Sequence, residues 1–215
     1  MAIQDKIVIR QLEARANWTP PRVGLQRALL RSFFSQCLPE VGGSRSWRKA
    51  PFLKYHHDAQ AAFFAFALSQ ILPGPDWEYS AGEVIPPEQR APYVDADCYV
   101  RCTHEGRKCY KPIQLKELPP LAIRAKSRTP ASLQGLLDKL SPKYTARKGH
   151  EDLVIAVLVN PPATINFQQL KVPKEISVEQ IWFYGKKGPE VGFIAGGNFR
   201  PGYLAASKEF SLLDL

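Results

Sequence analysis

No apolar run in this 215-residue chain reaches the length of a membrane span; the longest, Ala59 to Leu68, is interrupted by Gln60 and too short. The opening MAIQDKIVIR sets an acid and two bases around a brief apolar stretch and lacks a small-residue cleavage pattern, so no secretory leader is expected. Together these point to a cytoplasmic protein with no membrane partner. Paired CxxC knuckles are missing, which takes away the specific signature of a zinc module. A Gly-rich phosphate loop, a GxSxG elbow and an HExxH helix are missing too, and with them the usual support for phosphate-loop, serine-hydrolase or zincin chemistry. There is no internal repeat and no low-complexity tract. Acids are the scarce charge. Twenty Asp and Glu stand against 29 Lys and Arg, and the net +9 suggests a polyanionic partner.

What is present suits a folded globule. Hydrophobic residues make up 45% of the chain and aromatics 11%, and 215 residues can bury a sizeable core in one elaborated domain. Of the four cysteines, Cys98, Cys102 and Cys109 cluster around His104 while Cys37 stands apart. Cys102-x-His104-x4-Cys109 offers three metal ligands around a turn without an obvious fourth. The favoured reading is small buried hydrophobes on adjacent strands.

Hydrophobic periodicity divides the chain. Ile3 to Arg10 reads as a short strand or the start of a helix, and Pro20-Pro21 closes it. A helix is expected over 22–38, with Leu25, Leu29, Leu30, Phe33 and Phe34 as its apolar stripe. Gly42 to Lys49 is a basic loop whose Arg45, Arg48 and Lys49 can contact phosphates, with Trp47 stacking on a base or anchoring the fold. His56 to Leu72 is an apolar helix ended by Pro73-Gly74-Pro75. At its start His56-His57-Asp58 could bind a metal, yet adjacent histidines cannot both face one site on a helix, and a capping region is the favoured reading. Trp77 to Ile85 is a candidate strand. After two further strands comes a second basic loop with Arg124, Lys126 and Arg128. A helix follows with Thr129 as N-cap, Pro130 at its first position, and Leu133, Leu136, Leu137 and Leu140 on one stripe. Asp152 to Asn160 reads as a strand buried on both faces, Val178 to Tyr184 as another strand ended by Gly185-Lys186-Lys187-Gly188, and Gly196-Gly197 as a turn before a last short element. This order predicts an α/β fold, a central mixed β-sheet flanked by helices. Residues 1–55 form an N-terminal helical extension and 56–215 the core.

The most informative stretch is Tyr93 to Leu118, YVDADCYVRCTHEGRKCYKPIQLKEL. Glycine supplies the positive φ of a tight turn, so Glu105-Gly106 is the expected hairpin loop. That register sets Cys102 opposite Cys109, Asp97 opposite Gln114 and Asp95 opposite Lys116. Period-two alternation then gathers Asp95, Asp97, Gln114 and Lys116 on one face, and Ala96, Cys98, Val100, Ile113 and Leu115 on an apolar one. The polar face is either a half-solvated surface or a site. As a site, Asp97, the Gln114 amide oxygen and the Leu115 carbonyl are hard donors for Mg²⁺. Lys116 can orient or help deprotonate a water and offset charge on a phosphate.

Asp97 in YVDADCYV, followed 17 positions later by Gln114-Leu115-Lys116, resembles the motif of the PD-(D/E)xK nuclease superfamily, the restriction-endonuclease-like fold. The helix, three strands, helix, strand order around it is similar over about residues 56 to 185. The resemblance implies Mg²⁺- or Mn²⁺-dependent cleavage of nucleic acid, with DNA the expected substrate and a homodimer or partner subunit the expected assembly. By that resemblance Asp97 is the metal-binding acid, with Asp95 its rival, Gln114 the second ligand and Lys116 the catalytic lysine. Gln114 stands where a carboxylate is usual, as in transposon end-cutting relatives of the superfamily. The helix glutamate of many members is matched by Gln60, and Glu83 is placed to take over that role. Three readings follow: a metal-dependent endonuclease, a nucleic-acid-binding protein of the same fold with a degenerate site, and a protein-interaction subunit.

Overall fold

The computed structural model describes residues 6–30, 52–72, 76–82, 96–119, 130, 132–145, 152–160, 169–198 and 206–213, with side chains 28–30 and 52–55 left aside. Its helices are α1 (Lys6–Arg15), α2 (Pro21–Leu30), α3 (Phe52–Ile71) and α4 (Leu133–Leu140), the last running into a 3-10 turn, Ser141–Lys143. The strands are β1 (Asp76–Ala81), β2 (Cys98–His104), β3 (Arg107–Leu118), β4 (Val154–Val159), β5 (Gln180–Lys186), β6 (Val191–Gly197) and β7 (Ala206–Ser211). They form one seven-stranded sheet in sequence order. Outer pairs are antiparallel, while β3–β4 and β4–β5 are parallel. This is the expected mixed sheet flanked by helices. Among the described residues no helix is long and apolar enough to cross a membrane.

Two apolar layers explain why β4 reads as a continuous hydrophobic run. Val154, Ala156 and Leu158 join the cluster under α2 and α3, where Phe63, Phe64 and Phe66 pack on Tyr184 and Phe210. Ile155, Val157 and Val159 turn the other way, into the leucines of α4. A strand buried on both faces has no polar alternation to show. On the α4 side, Val8 and Leu12 of α1 cover Tyr99 and Tyr110 of the β2–β3 hairpin. Arg101 reinforces that docking: it bonds Glu13 at 3.0 Å and Glu78 at 2.6 Å, and lies 4.4 Å above the Trp18 ring.

The hairpin forms in the predicted register. Glu105 and Gly106 both have positive φ, 49° and 74°, as a type I′ loop requires. Cys102 faces Cys109 and Cys98 faces Ile113. Pro112 is tolerated in β3 because pairing with β4 begins only at Ile113, so its missing N–H removes no ladder bond on that side.

Other expectations are corrected. The first segment is helical, settling the open choice at Ile3 to Arg10 for residues from Lys6 onward. α4 is capped by Ser132, whose extended backbone lets its hydroxyl accept from the Gly135 N–H at 3.1 Å; Pro130 precedes the helix, and Thr129 lies outside the described residues. Gly185 and Lys186 continue β5 instead of ending it, Gly185 being kept small because a Cβ there would collide with the Val159 carbonyl. Gly196 and Gly197 are no turn but the end of β6, with φ of 150° and 132° that only glycine adopts readily. Cys98 is buried as expected of a small hydrophobe, whereas Cys102 is half-buried and Cys109 exposed. Ala96 departs from the hairpin's apolar face and packs beside α1 instead.

Candidate functional site

The strand register brings Asp97 and Gln114 together. Asp97 N–H donates to the Ile113 carbonyl at 2.8 Å, extending the ladder just past β2. Its carboxylate folds over the neighbouring strand: Oδ2 accepts from the Leu115 N–H at 2.8 Å and from Gln114 Nε2. The other end of the Gln114 amide is fixed as well, since the Tyr144 hydroxyl donates to Oε1 at 3.1 Å. Tyr144 is delivered by the turn after α4. Its N–H bonds the Leu140 and Ser141 carbonyls, each at 3.2 Å, and its own carbonyl accepts from Ser177 N–H at 2.7 Å.

This alters the picture of a half-solvated polar face. Gln114 is 5% exposed, because α4 and Tyr144 roof the face that Gln114, Lys116 and Leu118 share. A buried amide with both ends bonded is stable there; one left open would cost about 1–3 kcal/mol.

Lys116 lines a cleft of about 480 Å³ between the N-terminal half of α3 and α4. Lys139 and Lys143 stand on its α4 side, His56, His57 and Gln60 on its α3 side, with Leu115, Leu136 and Leu140 as apolar lining. The helix begins at Phe52, four residues before the pair, so His56-His57-Asp58 lies inside α3 and is no cap, and both rings line the one cleft. Burial is the main influence holding the His57 pKa below the usual imidazole value; His56 and Lys116 push the same way and Asp97 opposes them. Burial likewise drives the Cys98 thiol well up, with Asp97 and Asp58 adding to it. Asp58 turns away from the cleft and accepts from the Tyr79 hydroxyl at 3.1 Å.

On the opposite face of β3 a second polar cluster meets the same cleft. His56 Nε2 lies 3.2 Å from Glu117 Oε2 and 2.9 Å from Gln60 Nε2. One ring nitrogen cannot donate to the first and accept from the second at once, so the tautomer selects between them. Asn160 Nδ2 donates to Glu117 Oε1 at 2.8 Å. Gln60, 5% exposed, is therefore tied to His56 and not to Asp97. Glu117 and Tyr144 were missed by sequence reasoning, and His56 and His57 were noticed there but set aside as a cap. Only Glu117, directly after the Gln-x-Lys triplet, carried a positional signal. Glu83, Asp95, Arg45, Arg48, Lys49, Arg124, Lys126 and Arg128 lie outside the described residues.

For Mg²⁺, Asp97 and Gln114 fit in kind, as hard oxygen donors, and in position, on adjacent strands. The amide must turn over, since Nε2 now occupies the side facing the carboxylate; Tyr144, able to accept as well as donate, can hold either end. Among the described residues no three His, Cys, Asp or Glu gather to hold a metal. No family model, curated protein or solved structure matches the chain.

Proposed function

We propose that this chain is a divalent-cation-dependent nuclease of the PD-(D/E)xK kind, hydrolysing phosphodiester bonds of nucleic acid, with DNA the expected substrate. One observation carries the reading: Asp97 and the Gln-x-Lys strand meet beside a cleft walled by Lys116, Lys139 and Lys143. The order around it, a helix, three antiparallel strands, a helix and a parallel strand, supports the same assignment.

Asp97 and Gln114 would hold Mg²⁺ or Mn²⁺, which supplies a Lewis acid at the phosphate and a more acidic water. The protein's own parts divide the remaining work. Leu115 N–H keeps the Asp97 carboxylate turned toward β3. Lys116 orients the attacking water and offsets the charge that builds on the phosphate. Lys139 and Lys143, both exposed along the cleft, take flanking phosphates. The free thiols of Cys98, Cys102 and Cys109 suit a reducing compartment such as the cytoplasm.

A second reading, binding without cleavage, is favoured by the Gln114 nitrogen standing where a cation would lie. Supercoiled-plasmid and single-strand cleavage assays with Mg²⁺ or Mn²⁺ separate the two. Wild type should cut, and Asp97→Asn and Lys116→Ala should each lose about 10²-fold or more. Equal activity in all three proteins would sink the assignment. No cutting, with binding that falls steeply with salt, would leave the second reading.

A further inference from the structure

We propose that Cys102 and Cys109 are a thiol–disulfide exchange site, which closes a reversible bridge across the β2–β3 hairpin by reaction with a low-molecular-weight disulfide. Neither residue lines the Lys116 cleft, and nothing in the exchange depends on the nuclease reading.

Strand register supplies the geometry. Cys102 and Cys109 are direct partners in the β2–β3 ladder. His104–Arg107 flanks the Glu105-Gly106 loop and Thr103–Lys108 comes next, so Cys102–Cys109 is again a hydrogen-bonded pair, with Cα atoms about 5.5 Å apart. That separation falls inside the roughly 4.4–6.8 Å that disulfides span. Directly opposed residues point to the same side of the sheet, which brings the two thiols together. Burial raises the Cys102 thiol above its ordinary value, the Cys109 thiol beside it adds to this by charge and by hydrogen bonding, and Lys111 opposes them.

Access decides which thiol reacts first. Both are free, Cys109 exposed and Cys102 half-buried. Cys98 is fully buried and its thiol is driven well up, so it stays inert. The Cys109 thiolate attacks one sulfur of the small disulfide, whose other half leaves and takes up a proton. The Cys102 thiolate then attacks Cys109 Sγ in the mixed disulfide and expels the second half. Two protein thiols are oxidised to one disulfide, and one small disulfide is reduced to two thiols. An exposed bridge of this kind is readily reduced again, as suits the transient disulfides of a reducing compartment. A one-residue slip would turn every side chain of β3 to the other face, so the closed bridge also pins the register that sets Asp97 against Gln114.

The test uses the full folded chain with oxidised glutathione as the probe and peptide mass spectrometry as the readout. Every protein carries Cys37→Ser, so that Cys98, Cys102 and Cys109 are the thiols present. The parent should lose two hydrogens, yield linked peptides holding Cys102 and Cys109, keep no glutathione on Cys109, and return to the dithiol in excess reduced glutathione. Adding Cys102→Ser should leave glutathione on Cys109, because the second attack is lost. Adding Cys109→Ser should slow the reaction at least tenfold, since the remaining partner is half-buried; circular dichroism checks that each variant is folded. Absence of the linked peptides from the oxidised parent overturns the inference. So does an equal glutathione adduct on Cys109 in the parent and in Cys102→Ser, or a bridge that joins two molecules on a non-reducing gel.

Discussion

The Tyr144 hydroxyl is the most direct handle on how the site is held. Replacing Tyr144 with Phe keeps the ring, which is fully buried among the leucines of α4, and deletes one atom. That atom donates to Gln114 Oε1 at 3.1 Å, and Gln114 is itself buried. The variant therefore leaves a dry amide oxygen without its donor. A lost bond of this kind, with desolvation uncompensated, should lower the unfolding free energy by about 1–3 kcal/mol. Equilibrium urea unfolding followed by tryptophan fluorescence reads it as a shift in midpoint at constant slope. Asp97→Asn combined with Tyr144→Phe adds a second readout: both residues hold the same amide, so the two losses should not be additive. A Tyr144→Phe effect below roughly 0.5 kcal/mol, the level of an ordinary surface change, would refute the claim that this hydroxyl fixes Gln114.

Three further outcomes are expected. Gly106→Ala should cost about 1–2 kcal/mol from left-handed backbone alone, since a Cβ there meets nothing, while Gly188→Ala, equally open but without a positive φ, should be near neutral in the same urea assay. Under the proposed function, Lys139→Ala and Lys143→Ala should each weaken DNA binding and lower the salt slope by about one, as fluorescence anisotropy at several salt concentrations would show; an unchanged slope removes them from the phosphate path. Burial alone would raise the Glu13 pKa, but bonds from Tyr110 and Lys108 and the Lys108 and Arg101 charges outweigh it and hold it low. Its stabilisation is thus present above the unfolded carboxylate value and lost as pH falls through the lower folded one, so Glu13→Gln should flatten the acid side of the stability profile.

The sequence by itself determined whatever local chemistry dictates. Gly106 sets the loop, the loop sets the register, and period-two alternation then commits Asp97 to Gln114. The phenylalanine-rich run after Ala59 could only be a buried helix, and the unbroken run at 154–159 only a strand covered on both sides. The leucine stripe of α4 was legible, although its cap was not: Thr129 with Pro130 and Ser132 both satisfy local rules, and packing chose the later start. Tertiary structure alone decided how the site is surrounded. Tyr144 lies 30 residues from Gln114 along the chain, and nothing near either announces their bond. The histidine pair was misread as a cap because the expected helix began at His56, whereas α3 begins at Phe52 and both rings line the cleft. Burial of the Gln114 face was equally beyond the local pattern. Alternation says which residues share a side of a sheet, but only the placement of α4 says whether that side is wet.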